Sequence, residues 1–95
     1  MEDNADQAAA LLASMANSRR LMVLCHLVSG ECSVGVLAQR VGLSQSALSQ
    51  HLARMRAQGF VDARRDGQTV YYRLASQKVR ALLETLHGLY CSPAS

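Results

Sequence analysis

The chain is 95 residues long, 49% hydrophobic and 18% charged, with a net charge of +3. That length fits one small domain with a modest core, so the large apolar share points to surface buried against a second copy. No basic leader and no apolar run long enough to span a bilayer is visible, which sets the expectation of a cytoplasmic protein.

Residues 5–16 carry Ala8, Leu11, Leu12 and Met15 at helical spacing, which predicts a first helix. Ser18 is placed to cap a second helix running to about Val28, where Ser29-Gly30 stops it. Leu21, Met22, Val23, Leu24, Cys25, Leu27 and Val28 make it apolar nearly all round, so it is expected at the buried centre. Ser33 caps a short third helix through Arg40, with Val34, Leu37, Ala38 and Val41 inward, and Gly42 ends it. Ser44 caps a fourth helix that stops at Gly59.

The fourth helix is the most informative. At about 100° per residue, Leu48, Leu52 and Met55 share one side, and Ser46, Ser49, Gln50, Ala53 and Arg54 point away from them. Small polar side chains allow close approach to a DNA major groove, amides read base edges, and arginines hold phosphate or guanine. A solvated face of an ordinary amphipathic helix has the same pattern, so context decides. A short helix, a glycine turn and this helix together form a helix-turn-helix. Ser46, Ser49 and Gln50 are the candidates for base edges. Ser44, Gln45 and Arg54 are candidates for bases or backbone, and His51 stands at the helix shoulder as a packing or phosphate-contacting residue.

Residues 60–65 and 68–74 have strand composition, with Asp66-Gly67 as the hairpin turn. Arg64, Arg65, Gln68 and Thr69 crowd the tip of this wing, suited to DNA backbone or minor groove. The last helix runs from near Ser76 to about Tyr90, with Val79, Leu82, Leu83, Leu86, Leu89 and Tyr90 in one stripe. The stripes of the first and last helices predict a two-fold homodimer through those helices. Its two recognition helices would lie about one DNA turn apart and read an inverted-repeat operator in double-stranded DNA. The expected fold is mainly α with a small β-hairpin, a winged helix-turn-helix of order α-α-α-α-β-β-α spanning residues 1–95 as one DNA-binding and sensor domain.

This order, with LSQSALSQHLARMRAQGFVDARRDGQTVYYRLAS across its middle, resembles the ArsR/SmtB superfamily of winged-helix repressors. The resemblance implies a dimer that occupies a promoter until a chemical signal alters its grip. The metal sensors of that superfamily carry E-L-C-V-C-D-L at the start of the third helix. Here the stretch is Glu31-Cys32-Ser33-Val34-Gly35-Val36-Leu37, with both ligand positions replaced, by Ser33 and Gly35. The alternative Asp-x-His site on the last helix reads Ser76-Gln77-Lys78. Hydroxyl and ammonium groups cannot replace those ligands, so neither a metal nor a cofactor is expected and a metal-responsive repressor is the alternative reading.

The likeness is closer to the persulfide- and sulfide-responsive branch and its haemolysin-regulator relatives, activators among them. Those proteins carry one cysteine in a context like Arg20-Leu21-Met22-Val23-Leu24-Cys25 and another in a context like Leu86-His87-Gly88-Leu89-Tyr90-Cys91. The resemblance implies that Cys25 and Cys91 are a dithiol sensor of reactive sulfur such as glutathione persulfide, and that a sulfur bridge between them releases the operator. The residues themselves leave a second reading of Cys25, a small buried core residue. No Lys or Arg lies three or four positions from it to favour a thiolate, and on an ideal helix Cys91 stands off the apolar stripe. Cys32 falls in the loop before the third helix, outside that pattern and exposed to oxidation. A Cys25–His87–Cys91 metal site lacks paired spacing. A thiol enzyme is disfavoured because there is no C-x-x-C motif and no evident base or oxyanion site. A winged-helix protein-interaction module is the remaining class, distinguished by the absence of sequence-specific DNA binding.

Overall fold

The computed structural model describes residues 2–90; Cys91, one of the two expected sensor thiols, lies outside them. The elements are α1 (Glu2–Met15), α2 (Ser18–Val28), β1 (Cys32–Ser33), α3 (Val34–Val41), α4 (Gln45–Ala57), β2 (Val61–Asp66), β3 (Thr69–Leu74) and α5 (Gln77–Tyr90). This is a winged helix-turn-helix. Its wing is an antiparallel sheet of order β1-β3-β2.

Local chemistry accounts for the boundaries. Ser33 and Ser44 cap α3 and α4, their hydroxyls accepting the N–H groups of Val36 at 3.3 Å and Ala47 at 3.1 Å. Asn17, not Ser18, caps α2: its side-chain oxygen accepts the N–H groups of Arg19 and Arg20 at 3.0 and 3.1 Å, and Ser18 is the first helical residue. Between α3 and α4, Gly42 takes the left-handed conformation (φ 72°) that lets the chain turn directly into the next helix. In the hairpin, Asp66 pairs with Thr69, so the turn is Gly67-Gln68, one residue later than the composition suggests, and Gly67 adopts φ 63°.

The sequence reading lacks β1. It pairs Cys32 with Tyr72 and Ser33 with Tyr71, tying the segment before α3 to the wing. Cys32 is thereby only 7% exposed, which corrects the expectation of an oxidisable loop thiol. A second correction concerns α2. Val23, Leu24 and Leu27 are fully buried, but Met22 and Cys25 are exposed, so one side of the helix is open rather than enclosed.

The core draws on every helix: Met15 from α1, Val23, Leu24 and Leu27 from α2, Leu37 and Val41 from α3, Leu48, Leu52 and Met55 from α4, Val79 and Leu83 from α5, with Val61 from the wing. Burial of these side chains, each worth about 1.5–3 kcal/mol, is the main force holding the helices together. Three arginines finish helix ends, where carbonyls lack intrahelical partners. Arg20 Nε donates to the Ser14 carbonyl of α1, Arg80 Nη1 to the Val28 carbonyl of α2, and Arg19 Nη1 to the Val41 carbonyl of α3. A cation at a helix C-terminus also opposes the negative end of the dipole. Among the described residues, no helix is long and apolar enough to cross a membrane.

Candidate nucleic-acid interface and thiol cavity

The helical period places α4 as the sequence predicts. Leu48, Leu52 and Met55 are fully buried, while Gln45, Ser46, Ser49, Gln50, Ala53 and Arg54 are exposed. His51 is half-buried at the edge between them. The α4 face therefore projects small polar side chains and amides from a helix whose position is fixed by its core contacts.

An open cleft of about 720 Å³ separates this face from the wing. Gln45 and Ser49 line one side, Gln68 and Thr69 the other, and Ser33 to Val36 with Gln39 close the end. Four of the expected contact residues are thus brought together. The remaining ones are placed differently. The Ser44 hydroxyl is occupied by the cap and lies 3.3 Å from the Ser46 hydroxyl. Arg54 turns toward α1, lining a hollow with Ala10, Ser14 and Arg20. Gln39 and Val36 belong to the same cleft and were not singled out from sequence; their exposed positions on α3 were the available signal.

Alternation along β2 sends its adjacent arginines to opposite faces. Arg65 lines a basic cleft of about 370 Å³ with Arg56 of α4, which Arg64 also borders. The Arg64 side chain takes the other face. Its guanidinium sits 4.6 Å from the ring centroid of Tyr71, its cross-strand partner, and donates through Nε and Nη2 to both oxygens of Glu31 at 2.8 and 2.7 Å. That bidentate contact holds the Glu31 carboxyl below the usual carboxylate range. On the same face, Asp62 accepts the Ala63 N–H and pairs with Arg73 across the strand at 3.4 Å, and its carboxyl is likewise lowered.

The other feature with chemistry lies at the opposite end. Exposed Cys25 lines a cavity of about 390 Å³ together with Val28 and Ser29 from the end of α2 and Leu83, Glu84 and His87 from α5. The second reading of Cys25, a buried core residue, is excluded by this exposure. Among the described residues, no group of three His, Cys, Asp or Glu side chains is gathered as a metal ion would require. Large apolar side chains are also open to solvent: Leu12 on α1, Met22 on α2, Val36 on α3, and Leu89 and Tyr90 at the end of α5, the last two 70% and 82% exposed.

Residues 17–63 match the family described as bacterial regulatory protein, arsR family. Over 91 residues the chain is 55% identical to the transcriptional activator HlyU of Vibrio cholerae, covering 96% of this chain and 84% of that protein. The structure of reduced HlyU matches with a TM-score of 0.93 at 54% identity, covering 97% of both chains. The biofilm growth-associated repressor of Agrobacterium fabrum is 42% identical over 93 residues, or 98% of this chain and 80% of that protein. A homodimeric winged helix-turn-helix DNA-binding domain from Mycobacterium bovis matches with a TM-score of 0.81 at 33% identity, covering 93% of this chain and 82% of that one.

Proposed function

We propose a function from one premise: the chain belongs to the ArsR family of bacterial regulatory proteins, and is a DNA-binding regulator of transcription rather than an enzyme. It acts in the cytoplasm as a two-fold homodimer and represses an inverted-repeat operator. Gln45, Ser46, Ser49 and Gln50 of α4 meet the major groove, the cap Ser44 and His51 meet its flanking phosphates, and Arg54, on the α1 side of the helix, reaches the backbone beside it. Arg65, Gln68 and Thr69 meet the adjoining groove, with Arg64 serving the same wing. The exposed apolar residues of α1 and α5 close the dimer.

The trigger is reactive sulfur, taken up by Cys25 and Cys91. The observation that carries this reading is the exposure of Cys25 beside α5, the helix whose last described residue immediately precedes Cys91. The Cys25 thiolate attacks the outer sulfur of glutathione persulfide, and glutathione leaves. Cys91 then attacks the Cys25 Sγ itself, closing a bridge and expelling the outer sulfur as hydrosulfide. Two protein thiols are oxidised to the bridge as the sulfane sulfur is reduced. Each further persulfide consumed before closure inserts one more sulfur and leaves a second glutathione. The bridge ties α5 to α2, shifts the dimer seam and so the spacing of the two α4 helices. A coupling of about 1–3 kcal/mol is enough for a change in operator affinity of up to a hundred-fold.

A second reading keeps this chemistry and reverses the output, because the relatives carry both printed roles, activator and repressor. The test is operator affinity before and after glutathione persulfide, with peptide mass spectra and a peroxide arm. Cys25→Ser and Cys91→Ser are expected to bind the operator as the parent does and to keep their grip when treated. Release by either variant would overturn the dithiol mechanism.

A further inference from the structure

We propose that Glu31 is a positioning residue for DNA binding, holding the wing at its distance from the recognition helix through Arg64. This rests on the reading of the α4 and wing faces as the DNA interface. Three contacts converge on the short segment 31–33. Glu31 takes Arg64 of β2 in a two-point grip. Cys32 and Ser33 pair with Tyr72 and Tyr71 of β3. The Ser33 hydroxyl caps α3, the helix that leads into the turn before α4. The segment is therefore bonded to both wing strands and to the helix-turn-helix at once. A two-stranded ribbon has little rigidity of its own. Its tip, with Gln68 and Thr69 across the cleft from Gln45 and Ser49, is aimed by what holds its base.

The placement of Arg64 supports this role over direct phosphate contact. Two of its nitrogens are taken by carboxylate oxygens, and its plane is held against Tyr71. Arg65, on the other face, has no such grip and lies beside Arg56. The two arginines that look equivalent in sequence divide between aiming the wing and meeting the duplex.

The two roles predict opposite signs for Glu31→Gln. If Arg64 met phosphate directly, removing a carboxylate from beside it would tighten DNA binding. If Glu31 aims the wing, operator affinity falls by about two- to five-fold, the scale of an exposed ion pair. The loss should shrink when measured in an Arg65→Ala background, because both changes remove the same wing contact. The swapped pair, Glu31→Arg with Arg64→Glu, is expected to restore most of the affinity lost by Arg64→Glu alone. Tighter or unchanged binding by Glu31→Gln, or a swap no better than Arg64→Glu, overturns the proposal. Thermal melts of each variant separate a displaced wing from unfolding, and the swap restores the grip whatever the melt of the single variants. Gln50→Ala, run beside them on operator and random DNA, reports on the interface itself: if it leaves affinity for both DNAs unchanged, the DNA-face reading fails rather than the wing grip.

Discussion

The face formed by α4 and the wing is exposed and polar, whereas the surface around α1, α2 and the end of α5 is exposed and apolar. Arginine use follows the same division. Arg19, Arg20 and Arg80 are drawn inward onto the carbonyls that end three helices, while Arg54, Arg56 and Arg65 remain on the surface around α4 and the wing. A net charge of +3 over the whole chain hides this separation. The polar end is complete as it stands, with its helix caps satisfied and its side chains presented to solvent. The apolar end is the one that needs a partner, since Leu89 and Tyr90 gain nothing from water.

The largest effect that distinguishes the two ends is a leucine truncation made once in each. Leu52→Ala removes a fully buried side chain from the inner face of α4 and is expected to lower unfolding free energy by about 2–5 kcal/mol in denaturant titrations. Leu89→Ala removes an exposed one and should change the stability of the protomer by about 0.5 kcal/mol or less. Its effect should appear instead as a higher dimer dissociation constant in sedimentation or mass photometry. A large stability loss with an unchanged assembly state for Leu89→Ala would remove the apolar end from the dimer seam.

The same contrast explains how far the fold could be read in advance. Helix spacing, two serine caps and one turn glycine placed α3 and α4 to within a residue, because each signal is local. The hairpin was legible for the same reason, although its turn lies one residue later, where Gly67 rather than Asp66 takes positive φ. Asn17 and Ser18 are both good caps, and composition alone could not choose between them. What stayed hidden was non-local. The pairing of Cys32 with Tyr72 and the grip of Glu31 on Arg64 span 40 and 33 positions, and a two-residue strand has no period. Cys25 has the composition of a core residue in an apolar helix, and its exposure depends on how α5 crosses α2. On the face of α4 and the wing, the sequence identified the exposed residues but not their grouping. Gln45, Ser49, Gln68 and Thr69 share a cleft, while Arg54 faces α1.

Within the polar end, α4 and the wing should differ in kind. Gln50→Ala is expected to cost about 1–3 kcal/mol of discrimination between the cognate operator and random DNA, if its amide reads a base edge. Arg65→Ala should weaken both DNAs alike and reduce the slope of log affinity against log salt by about one. Fluorescence anisotropy over a salt series measures both quantities. Equal losses on the two DNAs for Gln50→Ala would reduce α4 to a backbone-contacting helix.

The smallest contrast uses the helix caps, one at each end. Ser44→Ala and Asn17→Ala each leave N–H groups at a helix start without their side-chain acceptor, and each should lower stability by about 1 kcal/mol. Their effects on DNA should part. Ser44 caps the helix that carries the proposed contact face, so fraying its first turn should displace Gln45 and Ser46 and weaken operator binding. Asn17 caps α2, whose exposed side faces away from that cleft toward α5, so operator affinity should hold. Ser18→Ala should be nearly neutral, because Ser18 is already inside the helix. If Asn17→Ala weakened operator binding as much as Ser44→Ala at equal stability loss, the two ends would already be coupled in the reduced protein. A sulfur bridge from α2 to α5 would then act on a path that α2 itself already uses to reach the recognition helix.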